Sequence, residues 1–338
     1  MSMPKIQMDV VVSQRKNRTD GLINYGQKAD LSFYQIPVII IEGGKPGKTL
    51  LVDGAMHGDE TEGSEAIIKL ASELEGQEFN GTFIGVPALN MEAFTVISRA
   101  TIVDGFNLNR VFPGRSDQYT THYLAAVYME RVVQYADAVI NFHGGGDVLH
   151  LEPLCAFLPF DGPDDKLGKV CYEMAKAFNV QYLWSQQNLP FAGITSLEYK
   201  KAFGIPTIIP EVGSQCSRLH NRFRDIEICY NGIKNVMAYF EMIPPTNQKP
   251  VENKMHIELN YLHSRNGGFM TPIKKEGELF EEGDLLCVID DLFGRRVEEI
   301  YAPWKGVVIG FWSVPVIHPG DWCSLAGRLI DPPADYNG

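Results

Sequence analysis

The 338-residue sequence lacks the features of membrane-spanning, secreted and thiolate-metal proteins. No apolar run reaches the roughly 18 residues that a membrane helix needs, and the opening stretch, MSMPKIQMDVVVSQRKNRTDG, contains no apolar core of a signal peptide. The six cysteines are scattered without a Cys-x-x-Cys pair, so a thiolate zinc site has no support. Together these absences predict a cytoplasmic protein with reduced thiols.

Positive charge is also in short supply, with 30 lysines and arginines against 42 aspartates and glutamates and a net charge of −12. An acidic surface disfavours nucleic acid and anionic membranes as partners. It does not exclude a small anionic substrate, because a local basic pocket can override the net charge. The composition, 45% hydrophobic and 21% charged, is that of a globular protein with one large core or two domains. It leaves a homo-oligomer open.

Strand-like and helix-like patterns alternate from about residue 49 to residue 240. TLLVDGA (49–55) predicts a buried strand, and EGSEAIIKLASELE (62–75) predicts a helix with an apolar face of Ile67, Leu70, Ala71 and Leu74. A second helix is predicted over YLAAVYMERVVQYA (123–136), followed by a strand over DAVINFH. The alternation predicts an α/β fold whose ligands collect at the carboxyl ends of the strands. Residues 1–48 predict additional strands.

The pattern changes at EMIPPTNQKPVENK (241–254), where proline and polar residues are typical of a linker. Two similar glycine-punctuated segments follow, GGFMTPIKKEGELFEEGDLL and IYAPWKGVVIGFWSVPVIHPGDWC. They predict a small C-terminal all-β domain over 255–338 that resembles a barrel-sandwich, after a catalytic domain over 1–245. The hairpin between the halves, DDLFGRR, has no lysine to carry a swinging cofactor. A structural or access-shaping role is therefore expected for this domain.

Metal-capable side chains follow two of the predicted strands. His57 and Glu60 are three residues apart in LLVDGAMHGDETEG, and His143 follows the strand AVINF. Two histidines and one glutamate, with an open fourth position, form a catalytic zinc set. A His-x-x-Glu pair alone is common by chance, and His150 competes with His143 as the third ligand. The set depends on the fold to bring its members together.

Other polar residues are candidates for the chemistry around such a metal. Glu211 ends the apolar strand of PTIIPEVG, where it could act as a base for water or simply cap the following turn. SRATIVDGFNLNRVFPGR contains Arg99 and Arg110, which could bind a carboxylate or stabilise an oxyanion. The alternative is a pair of surface arginines in salt bridges.

Four motifs occur in one order: His57-x-x-Glu60, DGFNLNRVFPG, NFHGGG and PEVG. In this order they resemble the succinylglutamate desuccinylase/aspartoacylase family of zinc-dependent deacylases, which is related to the metallocarboxypeptidases. The resemblance covers most of the chain. It implies a mixed central sheet flanked by helices, as in zinc carboxypeptidases, with an appended β domain near the active-site entrance.

The resemblance also implies roles for individual residues. It implies one Zn²⁺ per chain bound by His57, Glu60 and His143, with Glu211 as the catalytic glutamate. It further implies substrate binding by Asn109 and Arg110, and polarisation of the scissile carbonyl by Arg99.

The sequence departs from the family at two positions near the ligands. Many relatives have an acidic residue where this chain has Asn141, and many have aspartate where it has Asn107. An acidic partner would orient a ligating histidine and raise its basicity. Asp104 or Asp147 is the candidate to compensate for the missing charge.

The leading functional hypothesis is a zinc amidohydrolase that cleaves an N-acylated amino acid or a similar small amide. A metallocarboxypeptidase acting on peptides is the alternative among enzymes, and it would need a more open cleft. A non-catalytic zinc-binding or metabolite-binding protein is the alternative from another class, although such a protein has no need of Glu211.

Overall fold

The structure is a computed structural model that describes residues 6–159, 165–186, 192–214 and 221–333. The helices are α1 Glu62–Leu74, α2 Met91–Phe94, α3 Thr120–Arg131, α4 Lys166–Phe178, α5 Thr195–Phe203 and α6 Arg222–Tyr239, with 3-10 turns at Leu108–Arg110 and Val133–Tyr135. The strands before residue 254 are β1 Val10–Arg15, β2 Arg18–Gln27, β3 Phe33–Glu42, β4 Gly44–Asp53, β5 Phe79–Val86, β6 Ala138–Asn141, β7 Leu149–Leu151, β8 Leu154–Phe157, β9 Tyr182–Ser185 and β10 Thr207–Glu211. The later strands are β11 Met255–His263, β12 Gly268–Pro272, β13 Leu279–Phe280, β14 Leu285–Asp290, β15 Arg296–Tyr301, β16 Gly306–Trp312, β17 Val316–Ile317 and β18 Trp322–Ile330.

A 14-stranded mixed sheet forms the centre of the described molecule, in the order β1-β2-β3-β5-β4-β6-β10-β8-β9-β11-β18-β16-β13, with β7 paired to β16. Strands β5, β4, β6 and β10 run parallel, and β8 lies antiparallel to β10. The first three strands form an antiparallel extension, as predicted for residues 1–48. This arrangement confirms the predicted mixed sheet flanked by helices.

Both faces of the parallel strands are buried, because helices cover each side. Leu50 and Val52 pack into a core with α1, α4 and α6, whereas Leu51 between them packs on the opposite face with α3. The predicted apolar face of α1 is buried in the first of these cores, which confirms its helical pattern.

Three elements differ from the sequence-based expectation. The second predicted helix, 123–136, begins earlier, at Thr120, and ends at Arg131, where Val132 leaves the helical conformation and a 3-10 turn follows. Two adjacent β-branched residues, Val132 and Val133, disfavour continuation of that helix. Strands β7 and β8 were not predicted, because segments of three and four residues carry too short a pattern.

Among the described residues, no helix is long and apolar enough to cross a membrane.

The C-terminal strands form a sandwich that continues the central sheet. Strand β11 pairs in parallel with β9, and β18 and β16 follow it in the large sheet. A second sheet, β15-β14-β12-β17, packs against this part through a separate core that includes Phe280, Leu286, Ile289, Val308 and Phe311. Two packed sheets confirm the predicted barrel-sandwich-like region.

Candidate active site

Three neighbouring parallel strands end at one edge of the sheet, and each is followed by a candidate residue. Strand β4 leads to His57 and Glu60, β6 leads to His143, and β10 ends at Glu211. Because these strands are adjacent and parallel, residues separated by more than 80 positions in sequence meet there. The fold thus brings together the polar strand-end residues that the sequence singled out.

His57, Glu60 and His143 form a buried cluster whose ligand atoms all lie within 4.8 Å of one another. Nδ1 of His57 lies 2.8 Å from Oε1 of Glu60, and Nδ1 of His143 lies 2.9 Å from Oε2. The two Nδ1 atoms are 3.2 Å apart. That spacing is close to the roughly 3.3 Å that separates two ligands of a tetrahedral Zn²⁺ with bonds of about 2.0 Å. The donor set therefore fits a zinc ion.

Side-chain amides hold both imidazole rings from behind. Nε2 of His57 lies 3.0 Å from Oδ1 of Asn107, and Nε2 of His143 lies 3.2 Å from Oδ1 of Asn141. The amide orientations follow from other bonds, because Oδ1 of Asn107 accepts from the backbone N–H of Asn109 and Oδ1 of Asn141 accepts from the Thr195 hydroxyl. His57 can therefore donate from Nε2 and keep the Nδ1 lone pair for a metal. Nε2 of His143 lies 3.2 Å from both the acceptor Oδ1 of Asn141 and the donor Nδ2 of Asn109, and donation to Asn141 likewise leaves its Nδ1 lone pair for a metal.

A buried carboxylate lies behind Asn141. The Asn141 amide donates to Asp53, whose other oxygen accepts from the Tyr128 hydroxyl at 2.8 Å. Burial raises the pKa of Asp53 to about 6, against the opposing effect of these hydrogen bonds. Asp53 was not singled out in the sequence, because an acidic residue at the end of an apolar strand forms no motif.

The two residues proposed to compensate for the asparagines lie elsewhere. The Asp104 carboxylate accepts hydrogen bonds from the backbone and hydroxyl of Thr121, where it holds the start of α3. Asp147 is exposed, and its backbone N–H donates to Asp59. The expectation for Asp104 and Asp147 is therefore wrong, and Asp53 is the acid behind His143.

Burial and mutual charges set the protonation states of the three residues of the cluster. Burial raises the pKa of Glu60, but His57 and His143 oppose it and bring that pKa well below its usual value. Burial lowers the pKa of His57 to about 4. Glu60 is therefore an ionised carboxylate and His57 a neutral imidazole near neutral pH, the forms that bind a metal. Burial lowers the pKa of His143, but Glu60 outweighs burial and raises that pKa, so binding of a metal there would release the proton that the imidazole holds.

Glu211 lies beside His143 on the next strand. The backbone N–H of His143 donates to the carbonyl of Pro210, and the N–H of Val212 donates to the carbonyl of His143, both at 2.9 Å. Gly144 permits this approach, because a Cβ at that position would lie 2.5 Å from the Val212 carbonyl oxygen. Burial raises the pKa of Glu211 to about 7. Such a carboxylate can both accept and return a proton near neutral pH.

The predicted substrate-binding segment borders the same cluster. Nη1 of Arg99 lies 2.9 Å from Oε1 of Glu60, while the Arg99 side chain remains 42% exposed. Arg110 donates to the carbonyl of Asn109 at 2.7 Å, and the Asn109 amide lies 3.2 Å from Nε2 of His143. Burial lowers the pKa of Arg110, and the positive charge of Arg99 adds to that effect.

The alternative third ligand lies outside the cluster. His150 is on β7, and its Nδ1 is 3.0 Å from Oε1 of Glu276. The metal-sized cluster of the described residues contains His143 instead.

One cavity is lined by all seven candidate residues, which are His57, Glu60, Arg99, Asn109, Arg110, His143 and Glu211. The same cavity is lined by apolar side chains from β7 to β11 and from β18. Among them, Leu259, Tyr261, Trp322 and Leu325 come from the C-terminal region. Sequence reasoning missed these residues, because isolated apolar positions in strands are indistinguishable from ordinary core.

Comparison with known proteins identifies the same family as the four motifs. The model of the succinylglutamate desuccinylase/aspartoacylase catalytic domain matches residues 46–240. The N-alpha-acetyl-L-2,4-diaminobutyric acid deacetylase of Halomonas elongata is 28% identical over 304 residues, which cover 88% of this chain and 86% of that relative.

Solved structures agree with this match. A succinylglutamate desuccinylase from Silicibacter sp. TM1040 has a TM-score of 0.84 at 26% identity and covers 98% of this chain and 100% of its own. The product-bound ectoine utilization protein EutE (DoeB) from Ruegeria pomeroyi has a TM-score of 0.84 at 26% identity, with 96% of this chain and 99% of its own covered. The chain therefore belongs to the succinylglutamate desuccinylase/aspartoacylase family.

Proposed function

We propose that the protein is a zinc-dependent deacylase that hydrolyses the amide bond of an N-acylated amino acid or a similar small amide. The observation that carries this proposal is the position of Glu211, which lines the same cavity as the cluster of His57, Glu60 and His143. A carboxylate beside a three-ligand metal set can activate water for hydrolysis.

One Zn²⁺ per chain is the proposed cofactor, with His57, Glu60 and His143 as its ligands. Two imidazoles and one carboxylate match the chemistry of a catalytic zinc set. When bound, Zn²⁺ would supply a Lewis acid and lower the pKa of water to about 7. The hydrogen bonds at Nε2 of both histidines support this assignment, because they orient the Nδ1 lone pairs toward the cluster.

Glu211 is the proposed general base and general acid. It takes a proton from the water that attacks the acyl carbon, and it returns that proton to the departing nitrogen. Its pKa of about 7, raised by burial, suits both steps. The products are a carboxylate and a free amine.

The arginines and Asn109 bind and polarise the substrate in this proposal. Arg99 is held by Glu60 beside the cluster, so its charge can stabilise the carbonyl oxygen as that oxygen becomes negative. Arg110 and Asn109 are the proposed partners of the substrate carboxylate, since guanidinium and carboxylate match in geometry. Two arginines in a cavity of an acidic protein provide the local basic pocket that a small anion needs.

The substrate class rests on the relatives as well as on the site. The Halomonas relative is named for removing an acetyl group from an amino acid, and the Silicibacter structure is named for a desuccinylase. A small N-acyl amine is accordingly the proposed partner, and the cytoplasm is the proposed location. Residues 1–245 are the proposed catalytic domain, and residues 255–338 the proposed β domain that narrows its entrance.

A peptidase is the less favoured candidate. Tyr261, Trp322 and Leu325 of the C-terminal strands line the cavity, which leaves less room for an extended peptide than an open cleft would. A non-catalytic binding protein would have no need of Glu211 in that position.

The proposal is tested by metal analysis of the purified protein, coupled to a screen of N-acetyl and N-succinyl amino acids and diamines that detects the free amine. We expect Glu211→Gln to keep its zinc and lose about 10²-fold to 10⁴-fold in kcat. Glu227→Gln, which alters an exposed glutamate of α6, is the matched control. Full activity of Glu211→Gln would refute the base assignment. Zinc without turnover would indicate a binding protein, and cleavage of short peptides alone would indicate a carboxypeptidase.

A further inference from the structure

The cavity has a charged side and a mainly apolar side, and strand β10 of the central sheet lies between them. Its charged and imidazole groups come from the segments that follow β4 and β6, from the end of β10 and from residues 99–110, whereas the neutral polar groups of Gln186 and Tyr261 lie on the other side. Its apolar side chains come from strands on the other side of β10, namely β8, β9, β11 and β18, together with β7. Glu211 lies at the boundary between the two sides, because it is the last residue of β10.

Six apolar residues that line the cavity pack together in one hydrophobic cluster, which we call the apolar wall: Leu151, Leu154, Trp184, Ile209, Leu259 and Leu325. Strand register aligns these residues. Ile209 precedes Glu211 by two positions and shares its face of β10, and Leu154 is directly opposite Glu211 on β8. The apolar wall therefore begins next to the proposed base and extends toward the C-terminal strands.

The charges in the cavity are unfavourable for a second cation. Among the described residues that line it, the carboxylates are Glu60 and Glu211, against the guanidinium groups of Arg99 and Arg110. Glu60 is already bonded to both histidines and to Arg99. On the side of the C-terminal strands, an ammonium group would meet apolar side chains and the neutral acceptors Gln186 and Tyr261. The described lining residues offer it no carboxylate there beyond the proposed base, and burial of a charge without a counter-charge is costly.

We infer that the substrate carries an apolar group against the apolar wall, and that a cationic side chain is disfavoured. This inference rests on the proposed deacylase function and deepens it by specifying the substrate class. The Halomonas relative is named for a diaminobutyric acid derivative, which carries a second amino group. This chain selects a different substrate in our assignment. The apolar group belongs either to the acyl chain or to the amino-acid side chain.

Two substrate series distinguish these sources in the zinc-loaded protein. The first lengthens the acyl chain on glycine from acetyl to hexanoyl. The second keeps the acetyl group and varies the amino acid through alanine, norvaline, leucine and phenylalanine. We expect kcat/KM to rise about fourfold per added methylene in at least one series, because each methylene leaves water. The series that responds identifies the group in contact with the apolar wall.

An isosteric pair tests the charge argument. N-acetylnorvaline and N-acetyl-2,4-diaminobutyrate differ by a terminal methyl against an ammonium group. We expect at least tenfold higher kcat/KM for the norvaline compound. Leu259→Asp places a carboxylate in the apolar wall, so the ratio of kcat/KM for the norvaline compound to kcat/KM for the diaminobutyrate compound should fall at least tenfold. The neutral Leu259→Asn should change this ratio much less. Leu325→Asp is the second variant if the first does not fold.

Failure of the inference is distinguishable from failure of the proposed function. A flat response in both series, or a preference of the parent protein for the diaminobutyrate compound, overturns the inference and leaves the deacylase intact. If no amide is cleaved, the proposed function fails, and the apolar wall is then tested by binding alone. The same N-acyl compounds are titrated against the zinc-loaded protein and followed by tryptophan fluorescence, since Trp184 and Trp322 line the cavity. Affinity that does not rise with apolar size overturns the inference.

Discussion

The side-chain amide of Asn141 donates a hydrogen bond to the carboxylate of Asp53, in the buried layer behind the ring of His143. A neutral amide thus contacts the imidazole, and the negative charge lies one hydrogen bond further away. Tyr128 donates to the other oxygen of Asp53, so each carboxylate oxygen has a neutral donor. Within the described parts of the chain, no cationic side chain forms a hydrogen bond or salt bridge with Asp53. The pair of Asn141 and Asp53 therefore carries out the orienting role for which an acid at position 141 was expected.

Exchange of the two side chains tests this relationship. Asn141→Asp alone would place two carboxylates against each other in a buried site, where like charges oppose ionisation. We expect it to lose about 2–3 kcal/mol of unfolding free energy at pH 7.5. The double variant Asp53→Asn/Asn141→Asp restores one acid and one amide and should regain most of that loss. Urea unfolding of the metal-free proteins measures the loss in the single variant and its recovery in the double variant. An unchanged stability of Asn141→Asp would contradict the hydrogen bond from Asn141 to Asp53.

Stability should also depend on pH through Asp53. Its pKa is raised to about 6 by burial, compared with about 3.9 for an unperturbed aspartate. A raised pKa means that the folded state binds the proton more tightly, so the stabilisation is complete below about pH 4 and is lost as the pH rises through 6. The difference between the parent and Asp53→Asn should therefore shift by roughly 2 kcal/mol between pH 4 and pH 7 in favour of the variant. Urea unfolding of both proteins at each pH measures this difference. If the unfolding free energies of the parent and Asp53→Asn change equally with pH, the prediction is refuted.

The polar residues that follow the strands could be predicted from the sequence, whereas the apolar residues that line the cavity could not. His57, His143 and Glu211 each follow an apolar run, and parallel strands place such residues at one edge, so the cluster follows from local pattern plus a general rule of α/β sheets. Trp184 and Leu259 belong to the same cavity, but each is one apolar residue in a strand. Their contribution depends on β11 pairing with β9, a long-range contact that no local pattern specifies.

Asn107, the second asparagine beside the cluster, is expected to affect zinc affinity separately. Oδ1 of Asn107 accepts from Nε2 of His57 and also from the backbone N–H of Asn109, so it orients the ring and holds the turn at Leu108–Arg110. Asn107→Ala removes the acceptor, and we expect zinc affinity to fall about 10-fold to 100-fold. Asn107→Asp retains the acceptor and adds charge, so its affinity should equal or exceed that of the parent. Competition with a chelator measures both, and equal losses in the two variants would exclude the orienting role.

Gly144 sets the distance between His143 and Glu211. An added Cβ would lie 2.5 Å from the Val212 carbonyl oxygen, so Gly144→Ala must push the end of β6 away from β10. We expect a loss of about 1–3 kcal/mol in stability, as for other overpacked sites. Gly26→Ala in β2 is the matched control, because its Cβ would meet Tyr34 at an ordinary 3.5 Å. The displacement would separate His143, the proposed third ligand, from Glu211, the proposed base, so kcat at saturating zinc should fall in Gly144→Ala beyond what the unfolded fraction explains. Identical kcat and stability in the two alanine variants would show that the close approach of the strands has no role in the reaction.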